Sequence, residues 1–102
     1  MNHSLIPFDA LDWQDGIPGA RFKAFQRGNK QLRLLELTSG FVEPDWCEKG
    51  HAGFVVRGEL EIDFRGQTVR YPEGSGLFIA AENAHKARPL TPAVLLFLIE
   101  DI

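Results

Sequence analysis

Residues 52–71 read A-G-F-V-V-R-G-E-L-E-I-D-F-R-G-Q-T-V-R-Y, and this stretch decides the fold class. At its centre Leu60, Ile62 and Phe64 alternate with Glu59, Glu61 and Asp63. A period of two puts the apolar residues on one face of a strand and the carboxylates on the other, so the register is firm. Residues 52–56 before it form a more apolar strand that ends at Arg57-Gly58, and Arg65-Gly66 after it leads into residues 67–71. Glycine tolerates the positive φ that tight reversals need, so the two turns predict a three-stranded meander.

The same pattern extends outward. Residues 21–25 and 31–38 form a second antiparallel pair across Arg27-Gly28-Asn29-Lys30, and strands follow at 76–80, around 85–88 and at 93–100. No segment carries apolar residues at helical spacing. About eight short strands without a helix predict an all-β fold, a two-sheet jelly roll or small barrel. In the last strand, V-L-L-F-L-I at residues 94–99, the apolar run does not alternate, so both faces need cover. Two covers stand open: a second subunit, giving a homodimer, or the N-terminal arm (residues 1–16) with Leu5, Ile6, Phe8, Leu11 and Trp13.

Composition sets the remaining bounds. The 102 residues are 44% hydrophobic with eight Phe and two Trp, enough for one core, so residues 1–102 are expected to form one domain. The net charge is −3 and Lys and Arg are scattered, which argues against nucleic acid as a partner. A single cysteine cannot form an internal disulfide, the start lacks a basic-then-apolar leader, and no apolar run reaches bilayer length. The expectation is a soluble cytoplasmic protein without membrane association, binding a small-molecule ligand or substrate.

The chemistry-bearing residues gather in D-W-C-E-K-G-H, residues 45–51, with His85 further on; His3 is assigned no role. On a straight strand Cys47 and His51 would lie about 13 Å apart, too far for one ion. The chain must therefore bend at Glu48-Lys49-Gly50, with Gly50 supplying positive φ, while Pro44 opposes a helix. Cys47 reads equally as a small buried hydrophobe, and the histidines as turn or loop residues. A thiol enzyme, with Cys47 as nucleophile and His51 or His85 as base, lacks a recognisable third orienting group. Phosphate-loop and Ser-based motifs are absent.

The segment F-V-V-R-G-E-L-E-I-D-F, residues 54–64, followed by G-Q-T-V-R-Y-P-E-G-S-G, residues 66–76, resembles the two conserved blocks of the small cupins. The likeness covers residues 35–100 and implies a double-stranded β-helix, the RmlC-like jelly roll. The W-C-E-K-G-H string is also similar to an uncharacterised bacterial subgroup of cupins. Aligned on Gly58, the resemblance puts His51 at the usual Glu ligand, Asp45 and Cys47 at the two usual His ligands, and His85 at the last ligand. Three of four residue types differ from the common iron or manganese set. One thiolate and two imidazoles favour zinc, with nickel, copper or iron also able to fit. If Asp45 completes the tetrahedron the site is structural; without it a position stays open. Trp46, Glu82 and Arg57 are candidates for lining the ligand pocket. The competing function is a metal-free cupin that binds or senses a small polar ligand.

Overall fold

The computed structural model describes residues 4–102, so His3 lies outside the described residues. Nine strands run in order: β1 Gln14–Asp15, β2 Ala20–Arg27, β3 Lys30–Thr38, β4 His51–Arg57, β5 Leu60–Asp63, β6 Thr68–Tyr71, β7 Gly76–Ile79, β8 Lys86–Pro89 and β9 Ala93–Asp101. A 3-10 turn at Phe8–Ala10 is the one helical element among the described residues. The strands form a six-stranded sheet, β1-β2-β3-β9-β4-β7, and a three-stranded sheet, β6-β5-β8, with antiparallel pairing throughout. The all-β jelly-roll expectation holds, and β1 is a strand the sequence reading did not anticipate. The N-terminal arm is thus partly woven into the large sheet.

Turn chemistry explains both hairpins. Gly28 takes φ +60° between the paired residues Arg27 and Lys30. Arg65 and Gly66 both take positive φ, and the Phe64 N–H donates to the Gln67 carbonyl at 2.8 Å, closing β5 onto β6.

The predicted meander is half right. β5 pairs with β6, but β4 pairs with β7 and β9, so Arg57-Gly58 is a crossing between sheets and not a hairpin. Two features force the crossing. The β4–β9 register slips between Val55 and Arg57, and Gly58, at φ +83°, lies so close to 91–94 that a Cβ would sit 2.3 Å from the Ala93 carbonyl oxygen.

Between the sheets lies the core: Leu37, Val55, Leu60, Ile62, Leu77, Ile79, Val94, Leu96 and Leu98 are all buried. In β9 the inward residues are Val94, Leu96, Leu98 and Glu100, and the outward ones are Leu95, Phe97 and Ile99. The N-terminal arm covers part of that outer face: the Phe8 ring meets Phe97 edge-on at 6.3 Å, and Lys23 Nζ donates to the Phe8 carbonyl at 2.8 Å. Trp13 lies beneath the Arg21 and Lys23 cations at 4.3 and 4.9 Å. Beyond the arm, Phe54, Val56, Ile99 and above all Phe78, at 84% exposure, stay open on the large sheet.

Candidate metal centre

Cys47 and His85 face each other across an isolated antiparallel bridge, with their N–H groups and carbonyls exchanged at 2.9 Å in both directions. This bridge pins a segment that has no other strand character to the start of β8. From Cys47 the chain passes 48–50 and enters β4 at His51, whose inward side chain returns toward Cys47. The bend occurs where expected, for a different reason. Gly50 does not take positive φ; it is small because a Cβ there would meet the Ala81 nitrogen at 2.9 Å and the Ile79 oxygen at 3.1 Å. The Glu82 N–H donates to the Glu48 carbonyl at 2.8 Å and holds the bend against the β7–β8 connection.

The result is a cluster in which one donor atom from each of Cys47, His51 and His85 lies within 4.8 Å of the others. Cys47 Sγ is 3.8 Å from His51 Nε2, and the two imidazole rings are edge-on at 5.3 Å. Tetrahedral zinc, with bonds of ~2.3 Å to sulfur and ~2.0–2.1 Å to nitrogen, requires donors roughly 3.3–3.6 Å apart. The Cys47–His51 separation is close to that range, and a thiol with two imidazoles is a metal-ligating donor set, so the residues present fit a metal ion. His85 is 3% exposed and its Nδ1 lies 2.9 Å from the Asn83 carbonyl, which leaves Nε2 for the cluster. The Phe64 ring packs against it at 6.1 Å.

Behind His51 stands a carboxylate absent from the sequence-based site. His51 Nδ1 lies 2.6 Å from Glu100 Oε2, buried and with the N–H off the straight line to the oxygen. Glu100, 7% exposed, is gripped by Arg33 through Nε at 3.0 Å and a second guanidinium nitrogen at 2.8 Å, and by Gln31 Nε2 at 3.0 Å. Burial alone would raise the Glu100 pKa. The His51 contact, the Arg33 charge and the Gln31 and Arg33 hydrogen bonds outweigh it and hold the group at about 2, against an ordinary 4.5. The stripes Gln31-Arg33-Leu35-Leu37 and Val94-Leu96-Leu98-Glu100 carried the missed signal: polar residues continuing an inward apolar row.

Cys47, His51, His85, Glu100 and Arg33 line a cavity of about 420 Å³ whose walls also include Leu35, Leu60 and Leu96. Glu43 also reaches this cavity, and its Oε1 accepts the Ala87 N–H at 2.7 Å. The remaining candidates lie elsewhere. Asp45 is exposed and is not among the converging donors. Trp46 is taken up by the Arg65 and Lys86 cations, at 5.1 and 4.9 Å, and does not line the cavity. Arg57 ends β4 at the sheet crossing and Glu82 occupies a positive-φ turn position; both are exposed and outside the cavity wall.

No family model matches the sequence, and no curated protein matches it. Solved structures do. KdgF from Halomonas sp. is 25% identical with a TM-score of 0.77 over 91% of this chain and 89% of that one. An RmlC-like cupin protein from Ralstonia eutropha gives 0.80 at 17% identity, over 99% of this chain and 69% of the other. A ferrous form of HppE gives 0.74 at 13% identity, over 98% of this chain and 62% of the other. Two antiparallel sheets closing on a cavity, a chain that crosses between them at Gly58, and these likenesses show that the protein has the fold of a small cupin domain.

Proposed function

We propose that this cupin domain binds a divalent metal, zinc by preference, through Cys47, His51 and His85, and acts on or senses a small molecule in the adjoining cavity. The observation that carries the reading is the convergence of one thiol and two imidazoles within 4.8 Å in the wall of that cavity. Zinc is preferred because a thiolate with two imidazoles is a softer set than the oxygen-rich ones that suit magnesium or manganese. The ferrous form of HppE adds that this fold is compatible with a metal. A bound ion with three protein ligands supplies an open position that polarises water or a ligand oxygen. The protein's own part is to present Nε2 of both rings and to line much of the remaining wall with apolar side chains such as Leu35, Leu60 and Leu96.

A thiol relay is the weaker reading, although Glu100 beside His51 supplies the third group that the sequence did not reveal. Such a relay needs one imidazole, and the inward, buried His85 would have no task in it. The metal-free alternative leans on both Nδ1 atoms already facing oxygen acceptors, so the cluster holds its shape without an ion.

Elemental analysis after incubation with zinc decides among these. The metal reading expects close to one equivalent in the parent and loss of at least nine tenths of it in Cys47→Ser and His85→Ala. It also expects slow alkylation of Cys47 that accelerates on chelation. Alkylation indifferent to chelator, with no zinc retained, would sink it.

We also propose that two copies associate back to back through the open apolar patch of Phe54, Val56, Phe78 and Ile99. Light scattering is expected to give about twice the 11.5 kDa chain mass, and Phe78→Glu to return it to the single-chain value. A parent already at single-chain mass would rule the dimer out.

A further inference from the structure

His51 and His85 are anchored differently. The His85 Nδ1 faces a neutral main-chain oxygen, that of Asn83, whereas the His51 Nδ1 faces the charged carboxylate of Glu100. That carboxylate belongs to β9 and the residues that grip it, Gln31 and Arg33, belong to β3; none of the three is within reach of the Cys47–His85 bridge through main-chain pairing. The His51 Nδ1 is buried and makes no well-aligned hydrogen bond, and the Glu100 Oε2 stands 2.6 Å from it. A proton placed on Nδ1 meets an anion 2.6 Å away, while a lone pair placed there would face that anion unfavourably.

We infer that Glu100 is a positioning residue for His51: it holds the proton on Nδ1 and thereby keeps the Nε2 lone pair turned toward Cys47 and His85. Arg33 and Gln31 have the supporting task. They occupy the outer lone pairs of the carboxylate, so Oε2 is left directed at the ring. Their grip also prevents Glu100 from swinging into the cluster as a competing oxygen donor. Partners of this kind fix ring orientation and raise the basicity of the liganding nitrogen, and their loss commonly weakens metal binding by about 10- to 100-fold. The inference rests on His51 being a ligand only for its effect on affinity; the tautomer itself is a property of the metal-free protein.

The experiment uses metal-free protein carrying 15N-labelled histidine, at a pH where the rings are neutral. Long-range 1H–15N spectra then report which ring nitrogen is protonated. The parent is expected to show His51 with its proton on Nδ1. Glu100→Gln leaves a neutral acceptor in place and is expected to give a mixture of tautomers. Arg33→Met/Glu100→Leu removes both charges together, so it leaves no buried ion unpaired if the single variant folds poorly. In that double variant His51 is expected to move mostly to the Nε2-protonated form, with the signals of His85 unchanged as the internal control. Cobalt(II) affinity should fall about 10- to 100-fold alongside. A parent His51 protonated on Nε2, or a double variant that keeps Nδ1–H, overturns the role of Glu100. A parent that takes up no cobalt but shows the expected tautomer shift overturns the metal reading alone.

Discussion

Gly53→Ala is expected to cost more than about 4 kcal/mol, which for most domains of this size is a large share of the whole stability. Gly53 lies in the middle of β4 opposite Leu98, between strands that both line the cavity. A Cβ built there would sit 2.0 Å from the Phe97 carbonyl oxygen, 3.0 Å from its carbon and 3.1 Å from the Leu98 Cα. All three atoms are backbone, so no side chain can rotate away. Relief requires β4 to move off β9, and β9 is the strand that joins the β2–β3 pair to β4 and β7. The separation would also carry His51 away from Glu100, because the two residues sit on those same strands. Thermal unfolding should show a midpoint at least about 15 °C below the parent, given ~4–8 °C per kcal/mol for a domain of roughly this length. A shift of only a few degrees would mean that β4 and β9 pack with more slack than their spacing indicates.

Much of this fold is legible because a sheet with one wet face announces itself. Glu59 to Phe64 alternates without a break, and the structure buries Leu60 and Ile62 while leaving Glu61 and Asp63 half-exposed. Which sheet a strand joins is a different kind of information. Arg57-Gly58 and Arg65-Gly66 look alike as dipeptides, yet one crosses between sheets and the other closes a hairpin. The distinction comes from the packing of Gly58 against 91–94, a contact between residues more than thirty positions apart in the chain. Local sequence cannot encode it. Gly50 and Gly53 show the same limit. Each is a glycine because foreign backbone passes close by, and neither adopts a conformation that a turn rule would find.

The site divides along the same line. The metal-ligating residue types Cys47, His51 and His85 could be picked out by kind, and the bend that unites them was demanded by distance alone. Asp45 shared the right residue type and the right offset, but it sits on the exposed side of the segment. Trp46 was expected at the pocket wall because aromatic rings often serve there; instead two cations, Arg65 and Lys86, claim its faces. Glu100, Arg33 and Gln31 were missed for a simpler reason. They lie in strands whose apolar residues drew the attention, and their inward direction follows from counting by two from Leu98 and Leu35. A carboxylate and a guanidinium at such positions need a partner inside, and each is the other's.

That pairing sets the second large effect: Arg33→Met is expected to destabilise the metal-free protein by about 2–4 kcal/mol and to make it acid-sensitive. Glu100 in the parent has a pKa near 2 where an ordinary glutamate has 4.5. A depressed folded-state pKa means the unfolded chain binds the proton more readily. The stability it contributes, about 3 kcal/mol at ~1.36 kcal/mol per pH unit, is therefore fully present above pH 4.5 and drains away as the pH falls toward 2. Without Arg33, burial is opposed only by His51 and Gln31, and the Glu100 pKa moves upward. The acid limb of unfolding should then begin at higher pH than in the parent, while stability on the neutral side falls by the cost of a poorly paired buried carboxylate. Arg33→Met/Glu100→Leu should recover most of the loss at neutral pH, because two apolar side chains of similar size replace a pair that must be desolvated. Urea unfolding of all three proteins from pH 2 to pH 7, with chelator present, measures both limbs. If Arg33→Met and the parent give superimposable curves across that range, the guanidinium grip on Glu100 contributes nothing to stability, and the buried charge must be compensated by His51 and Gln31 alone.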